Sequence, residues 1–417
     1  MILDFTFIQV PNPILLQPLM YPFALGPLYL AAMLEKAGAK VACVDLRGVD
    51  LRDKELNPDL VPRAKWYGLT ATTPEIKAAR SLAVILKARD PSSRTIIGGA
   101  HATALPQDCV EYFDVVGTGE WEHSIVKLLE EGQVEGAVYG GATPDLDVLP
   151  FPARHLVGER AFSTTIMPGE RWGEGEKGAM IISSRGCPYN CHFCASARSL
   201  PIRLRSPENV AAEVQELKER YNCHAFRDES DNLNLNSAWL FRLCNLLEPL
   251  KVTWKGHGRS RLLTPEICKA MREAGLIEFG IGVESADPKV LKLIGKEETV
   301  EDHLQAVALL KKYGIVSKIY LMSGLPGETE ETPLRNATFM EYAQPDKWTL
   351  SEFVPLPGCE VWKNPEHFEA TISKDNLADY WFFDSDFAVE YKGASREILK
   401  DRYQRLLSYL KSNQWRG

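Results

Sequence analysis

The sequence predicts an α/β protein: an N-terminal doubly wound, Rossmann-like domain, a partial (β/α)6 TIM-like barrel, and a short, mainly helical C-terminal region. Three observations carry this. Short apolar runs alternate with helical patterns from the start to about residue 360, the rhythm of parallel sheets. A proline- and glycine-rich stretch, 141–178, interrupts that alternation once. Six strand–helix units follow it, fewer than the eight of a closed barrel. The expected boundaries are 1–145 for the first domain, 146–178 for a linker, 179–360 for the barrel and 361–417 for the C-terminal region.

In the first domain, "LDFTFIQV" reads as a strand and a helix begins near Pro27, a good first-turn residue. Leu30, Met33, Leu34 and Ala37 share a face of that helix, and Gly38 stands where it should stop. "KVACVDL" and "YGLTATT" are the next strands, and Thr73 and Pro74 read as cap and first turn of a helix ending before Asp90. "RTIIGG" is a strand, "PQDCVEYF" a short helix, "DVVGTG" a strand and "EWEHSIVKLLEEG" a helix. Ligands of such sheets bind at the carboxyl ends of the strands. Gly98, Gly99, Gly117 and Gly119 stand at those ends and admit a large cofactor close to the backbone.

The second domain starts with "AMIIS" (179–183) and continues through "AFR" (225–227), "VTWK" (252–255), "EFGIGV" (278–283), "IVSKIYLM" (315–322) and "KWTLSEFV" (347–354). Gly275 and Gly314 fall where two intervening helices should end. In the tail, residues 395–410 form an amphipathic helix with Ile398, Leu399, Tyr403, Leu406 and Leu410 on or near one face. Trp381, Phe382 and Phe383 either line a substrate pocket or pack as core.

With 48 basic and 56 acidic residues the net charge is −8, which argues against general binding to nucleic acid or anionic membrane. Residues 5–34 carry no charge and are long enough to span a bilayer, but Pro11, Pro13, Pro18, Pro22 and Pro27 interrupt them. There is no basic flank or cleavage-like end, so the expectation is a loop and a buried helix, with neither membrane span nor signal peptide. Nine cysteines, at 43, 109, 187, 191, 194, 223, 244, 268 and 359, are too sparse for a disulfide scaffold and suit a reducing cytoplasm.

Only three of them cluster: Cys187, Cys191 and Cys194, in "SSRGCPYNCHFCA", directly after the first barrel strand. The C-x3-C-x2-C spacing offers three thiolates to a soft metal or a cluster. Structural zinc is one alternative, but it wants four ligands, and no second knuckle follows. A [4Fe–4S] cluster is the other; three ligands leave one iron open.

Here the sequence resembles the radical S-adenosylmethionine enzymes. "CPYNCHFC" looks like their cluster motif, with Phe193 at the aromatic position before the last cysteine. The resemblance implies that the open iron binds S-adenosylmethionine and that its reductive cleavage yields a 5′-deoxyadenosyl radical. "FRDESDN" resembles the segment that meets the cofactor's amino group, a role implied for Asp228 or Glu229. "GRSRLLTPEICKAMREAG" places Arg259 at the usual arginine position, and "GIGVESADPKVLKLIGK" implies that Glu284 and Ser285 face ribose and carboxylate. "SGLPGET" implies that Gly324 and Pro326 bring backbone near adenine. In "FVPLPGCEVW" Cys359 replaces the threonine most relatives have, and a thiol there either returns a hydrogen atom to a product radical or packs a turn.

The N-terminal domain is similar to the cobalamin-binding domain of the methyltransferase-like branch of this family, which implies Thr72, Gly98, Gly99, His101, Gly117, Gly119 and Glu120 as cobalamin contacts. "DLRGVD" (45–50) lacks the histidine that ligates cobalt in some relatives, which implies a cobalt suited to moving a methyl group. His101 is either near cobalamin or a satisfied loop residue. The resemblance covers roughly residues 1–360. It implies a cytoplasmic enzyme that methylates an unactivated carbon of a small metabolite, peptide or nucleoside, with a flavodoxin or ferredoxin as electron donor. The alternative is a cobalamin-associated radical rearrangement, epimerisation or oxidation without methyl transfer, or a vestigial cobalamin domain.

Overall fold

The structure is a computed structural model that describes residues 2–11, 22–47, 57–131, 136–163, 177–196, 201–373, 380 and 387–412. It divides into two compact units, 1–180 and 181–417, with the boundary inside one strand.

The first unit is built on a six-stranded sheet of β1 (Leu3–Gln9), β2 (Val41–Asp45), β3 (Ala64–Thr70), β4 (Arg94–Gly98), β5 (Val115–Thr118) and β6 (Gly136–Tyr139), in the order β2-β1-β3-β4-β5-β6. Every pairing in it is parallel. The order reverses between β1 and β3, the switch point where such sheets bind their ligands. Helices α1 (Leu25–Lys36), α2 (Ile76–Arg89), α3 (Ala100–Ala104) and α4 (Glu122–Glu131) connect the strands. Two separate cores bury the two faces. Ile8, Tyr67, Leu69 and Ile97 pack against Leu82 and Leu86, while Phe5, Phe7, Trp66 and Val115 pack against Ala31, Leu34, Ile125 and Leu128. A central sheet covered on both faces explains why its strands read as continuous apolar runs rather than alternating ones.

Two local expectations change. Thr72, not Thr73, opens the helix after β3. Its hydroxyl and Glu75 form a capping box, and a 3-10 turn at Thr73–Glu75 precedes α2. "PQDCVEYF" gives a single 3-10 turn, Pro106–Asp108, because the chain has already turned through α3. The unit ends with the short antiparallel pair β7 (Phe162–Ser163) and β8 (Gly178–Ile181).

The second unit is the partial barrel. After β8 come a small antiparallel pair, β9 (Ser184–Arg185) and β10 (Arg203–Leu204), and then β11 (Ala225–Asp228), β12 (Thr253–Gly258), β13 (Leu276–Glu284), β14 (Val316–Ser323) and β15 (Lys347–Glu352). All six expected barrel strands form. They lie in sequential order from β8 to β15, and the pairings from β11 to β15 are parallel. Helices α5 (Pro207–Tyr221), α6 (Ser237–Leu247), α7 (Pro265–Glu273), α8 (Pro288–Leu293), α9 (Val300–Lys312) and α10 (Thr332–Ala343) cover the outside. The concave face is identifiable from one ion pair. Lys347 on β15 reaches Glu278 on β13, 2.6 Å away, across the intervening β14, and Lys255 on β12 approaches the same carboxylate at 3.5 Å. Side chains can converge across three strands only on the inside of the curve. By strand alternation His257 and Tyr320 share that face.

Beyond the barrel lie α11 (Glu360–Lys363), a hairpin of β16 (Ala370–Ile372) and β17 (Val389–Tyr391), and α12 (Arg396–Ser412). The hairpin was not expected. In α12, Leu399, Tyr403, Leu406 and Leu410 are buried as expected, but Ile398 is exposed, one position off the buried stripe. Trp381, Phe382 and Phe383 lie outside the described residues.

Gly275 and Gly314 both end helices with positive φ, at +92° and +67°. They differ in surroundings. A methyl group on Gly275 would run into the Val252 carbonyl, whereas Gly314 faces open space up to Arg272 Nε at 4.0 Å. Gly314→Ala should therefore cost only the conformational penalty, about 1–2 kcal/mol. Gly275→Ala should cost clearly more, as the difference between two urea titrations will show.

Candidate functional site

The cysteine loop leaves β9 through Gly186, whose φ of +91° suits a residue without Cβ. Within the loop, Cys194 N–H donates to the Cys191 carbonyl at 3.1 Å. His192 clips the loop to the barrel wall: its N–H donates to Ile294 O at 2.8 Å, and its Nδ1 to Leu293 O at 2.8 Å. On the other side Val361 N–H donates to the His192 carbonyl at 3.1 Å. The loop is thus anchored by its backbone, and the thiols are left for other work. Phe193 stands half-buried between two of them.

Burial pushes all three thiols up, Cys194 to about 11; Cys187 and Cys194 also feel the negative charge of neighbouring thiolates, while Lys296 and Arg259 oppose the shift at Cys191. Thiolates cannot persist together here without a cation. Two donors already face the sulfurs: Asn232 Nδ2 lies 3.2 Å from Cys187 Sγ, and Arg259 Nη1 lies 3.9 Å from Cys191 Sγ. Among the described residues no three His, Cys, Asp or Glu side chains are grouped to hold a single metal ion. Zinc would need its thiolates within about 4 Å of one another. A cubane cluster asks for something else, each cysteine on a different iron.

Around Cys191 a buried charged cluster gathers. Arg259 lies over the Tyr189 ring at 3.7 Å, and its Nη2 is 3.3 Å from Glu298 Oε2. Lys296 Nζ is 3.4 Å from both Glu284 Oε1 and Glu298 Oε2. Arg259 Nε and Nη2 and Glu298 Oε2 are nonetheless buried without a hydrogen-bond partner. Buried donors left open beside the cysteines suit a ligand that brings its own carboxylate. Glu284 has φ +62° and a carboxyl raised by burial, opposed by Lys296.

The structure separates the two candidate carboxylates after β11. Asp228 is fully buried and accepts from Ser183 N–H at 3.3 Å, Ser230 N–H at 2.9 Å and Ser230 Oγ at 2.6 Å. Ser230 Oγ in turn accepts from Ser183 and Ser184 N–H at 2.9 and 2.8 Å. This knot ties the end of β8 to the end of β11 and occupies Asp228. Glu229 is half-buried, with Oε1 3.0 Å from Arg227 Nε and otherwise without a hydrogen-bond partner. Of the pair, Glu229 has the free capacity.

Three further sequence candidates are internally engaged. Ser285 is fully buried, near Asn336 Oδ1 at 3.4 Å and accepting from Asp287 N–H at 3.1 Å. Cys359 is fully buried as the cap of α11, its Sγ accepting from Trp362 N–H at 3.4 Å, and burial lifts the thiol to about 11. His101 is fully buried with both nitrogens engaged, Nδ1 to Thr73 Oγ1 at 3.3 Å and Nε2 to Asp108 at 2.9 Å. Gly324 has φ +86° and Pro326 is buried in the loop after β14.

In the first unit Thr72 follows the carboxyl end of β3, Gly98 and Gly99 that of β4, and Gly119 and Glu120 that of β5. Gly117 lies within β5 with the Trp121 indole against its Cα, so it serves packing there. Glu120 accepts from Thr143 N–H at 2.8 Å. Residues 48–50 of "DLRGVD" lie outside the described residues.

The comparisons agree with this division. The sequence pattern of the B12 binding domain matches residues 14–129, and that of the radical SAM superfamily matches residues 181–340. Together they define a class, the radical S-adenosylmethionine enzymes that carry a cobalamin-binding domain. This chain belongs to it, and the cofactors of that class are a [4Fe–4S] cluster, S-adenosylmethionine and cobalamin. An uncharacterized methyltransferase of Pyrococcus horikoshii is 28% identical over 372 residues, covering 81% of this chain and 77% of the relative. The anaerobic magnesium-protoporphyrin IX monomethyl ester cyclase of Rubrivivax gelatinosus is 28% identical over 367 residues, 80% of this chain and 65% of its own length. Among solved structures, the radical S-adenosylmethionine methyltransferase TsrM from Kitasatospora setae, with cobalamin and [4Fe-4S] cluster bound, superposes with a TM-score of 0.69 at 16% identity, over 98% of this chain and 89% of that one. The cobalamin-dependent S-adenosylmethionine radical enzyme OxsB gives 0.64 at 18% identity, over 100% of this chain and 62% of that one. At these identities the superpositions establish the fold. Among the described residues no helix is long and apolar enough to cross a membrane.

Sequence reasoning missed Lys296, Glu298, Asn232 and His257. Lys296 sits at the end of the "GIGVESADPKVLKLIGK" motif, where a basic residue just past the helix was the available signal. His257 on the concave face has Nδ1 buried without a partner, and burial, reinforced by the Arg227 charge, lowers its pKa to about 4. Burial lowers His303, 2.6 Å from Ser260 Oγ, to about 3. A histidine whose folded pKa is depressed supports the fold above its unfolded value near 6.5 and loses that support as pH falls toward the folded value. His303→Gln should remove this dependence. Between pH 7 and pH 4 wild type should lose about 2–3 kcal/mol more unfolding free energy than the variant, read from urea titrations at each pH.

Proposed function

We propose that this chain is a cobalamin-dependent radical methyltransferase that places a methyl group on an unactivated carbon. The observation that carries the reading is the pairing, in one chain, of the three-cysteine barrel loop with a doubly wound domain whose candidate histidine, His101, has both nitrogens committed to protein partners. His101 is therefore not free to ligate a metal, and cobalamin held by this domain would supply a methyl group. The methyltransferase relative and the TsrM fold support the same reading.

When bound, the cluster and S-adenosylmethionine supply a substrate radical, and cobalamin supplies the methyl group. The chain's own residues divide the remaining work. Cys187, Cys191 and Cys194 hold the cluster, while Asn232 and Arg259 donate toward sulfur. Lys296 and Arg259 set positive charge where the carboxylate of S-adenosylmethionine would lie, and Glu229 accepts from its amino group. Glu284 takes the ribose, and the backbone of Gly324 to Pro326 flanks adenine. The edge formed by Thr72, Gly98, Gly99, Gly119 and Glu120 approaches cobalamin. The nine cysteines form no disulfide, which suits a reducing cytoplasm with a flavodoxin or ferredoxin as electron source.

Anaerobically purified protein, reconstituted with iron and sulfide, should be brown, and Cys191→Ala should lose that absorbance. With dithionite and S-adenosylmethionine, wild type should release 5′-deoxyadenosine. With added cob(I)alamin it should also form methylcobalamin and S-adenosylhomocysteine in equal amounts. Deoxyadenosine without methylcobalamin would remove the methyl-transfer half and favour radical chemistry without methylation, the reading that the cyclase relative supports. Colourless protein holding one zinc would remove both. Glu229→Gln should weaken S-adenosylmethionine binding about tenfold in equilibrium dialysis, as loss of a charged hydrogen bond does. Binding equal to wild type would remove that assignment.

A further inference from the structure

The loop after β14, Ser323 to Glu328, is held from outside the barrel. Gly324 turns with φ +86°, and the Phe387 ring lies so close over it that a methyl group there would collide. Tyr391, the last residue of β17, donates its hydroxyl to the Gly324 carbonyl at 2.8 Å. Arg402 on α12 is buried and donates Nη1 to the Glu328 carbonyl at 3.1 Å. Its Nε and Nη2 grip Glu330 at 3.0 and 2.8 Å. The Glu328 carboxyl lies toward the N–H groups of Gly324 and Leu325, and burial raises it to about 7.

The same loop borders a cavity of about 860 Å³, lined among others by Leu293, Glu328, Phe368, Tyr391 and Arg402. Ser323 to Pro326 are buried, but Gly327 and Glu328 face the cavity, so the position of that outer end depends on the polar bonds that hold it. Those bonds come from Tyr391 and Arg402, and Phe387 adds its ring, all three in the chain's last third. None of them lies within the matched radical SAM region, which ends at 340.

We propose that the segment from Phe387 to Arg402 is a clamp that fixes the loop Gly324–Glu328 in its cofactor-binding shape, with Tyr391 and Arg402 as positioning residues. This rests on the reading that the loop flanks the adenine of S-adenosylmethionine. The C-terminal region is then part of the cofactor site, although it touches no cofactor. Tyr391 sets the height of the Gly324 carbonyl. Arg402 spans the loop end, and its planar fork reaches a carbonyl and a carboxylate from separate nitrogens, which a lysine's single nitrogen matches only in part.

The test uses the full-length reconstituted protein. Affinity for S-adenosylmethionine is measured by equilibrium dialysis, and KM and kcat for substrate-free 5′-deoxyadenosine formation are measured with dithionite. Tyr391→Phe should raise both Kd and KM about three- to tenfold, the loss of one buried hydrogen bond. Arg402→Ala should raise them tenfold or more, and Arg402→Lys should recover part of that. In each case kcat at saturating S-adenosylmethionine should stay within about twofold, and cluster absorbance and melting temperature should stay near wild type. Lys411→Ala, on the exposed side of α12, should change nothing. Unchanged Kd and KM in both Tyr391→Phe and Arg402→Ala would overturn the clamp, and so would a loss of affinity that comes only with a loss of cluster. Wild type that binds no S-adenosylmethionine would instead overturn the reading of the loop on which the clamp rests.

Discussion

The second unit is organised around one electrostatic constraint: three buried or half-buried thiols within eight residues cannot all ionise unless positive charge joins them. Desolvation alone lifts each of them. The fold answers with geometry rather than with a preformed ion pair. Backbone bonds from both sides of the loop fix His192, the middle of the cysteine segment, so that order does not depend on the sulfurs. Arg259 and Lys296 then place cations beside Cys191 while keeping donor capacity open. The cluster iron would supply the remaining charge.

The Asp228–Ser230 knot serves the same end by other means. A carboxylate that desolvation makes costly is held by three hydrogen bonds, and the return is a rigid junction between the strand before the cysteine loop and its neighbour. The adjacent Glu229 is free to face the concave side because its neighbour carries the structural load. In each unit the same edge of the sheet, where strands end at their carbonyls, carries the candidate ligand contacts, as parallel β/α folds dictate.

Much of this was legible in the sequence. The strands and helices follow from apolar runs punctuated by Gly38, Gly275 and Gly314, and the cysteine loop from spacing alone. Burial was not legible. Ser285, Asp228, His101 and Cys359 look reactive as letters, and each is internally engaged in the fold: Ser285, Asp228 and His101 by the distant Asn336, Ser183 and Thr73, and Cys359 by the start of α11 that it caps. Glu298 and Asn232 were invisible for the converse reason, since only the fold brings Asn232 to Cys187 and Glu298 to Arg259. The hairpin β16–β17 had no signal strong enough to announce it, because a two-stranded ribbon of three-residue strands leaves almost no periodicity.

Glu284 shows what this arrangement demands of the chain. Its φ of +62° is one that a residue with a Cβ adopts at a cost of about 1–2 kcal/mol, and its carboxyl is buried besides. Glycine would fold more comfortably there, and the strand already has glycine at 280 and 282. Any drift toward stability would erase the carboxylate first. The position is therefore a gauge of selection: in a copy released from catalytic duty, residue 284 should be among the early ones to relax, while the Asp228 knot, needed simply to fold, should outlast it.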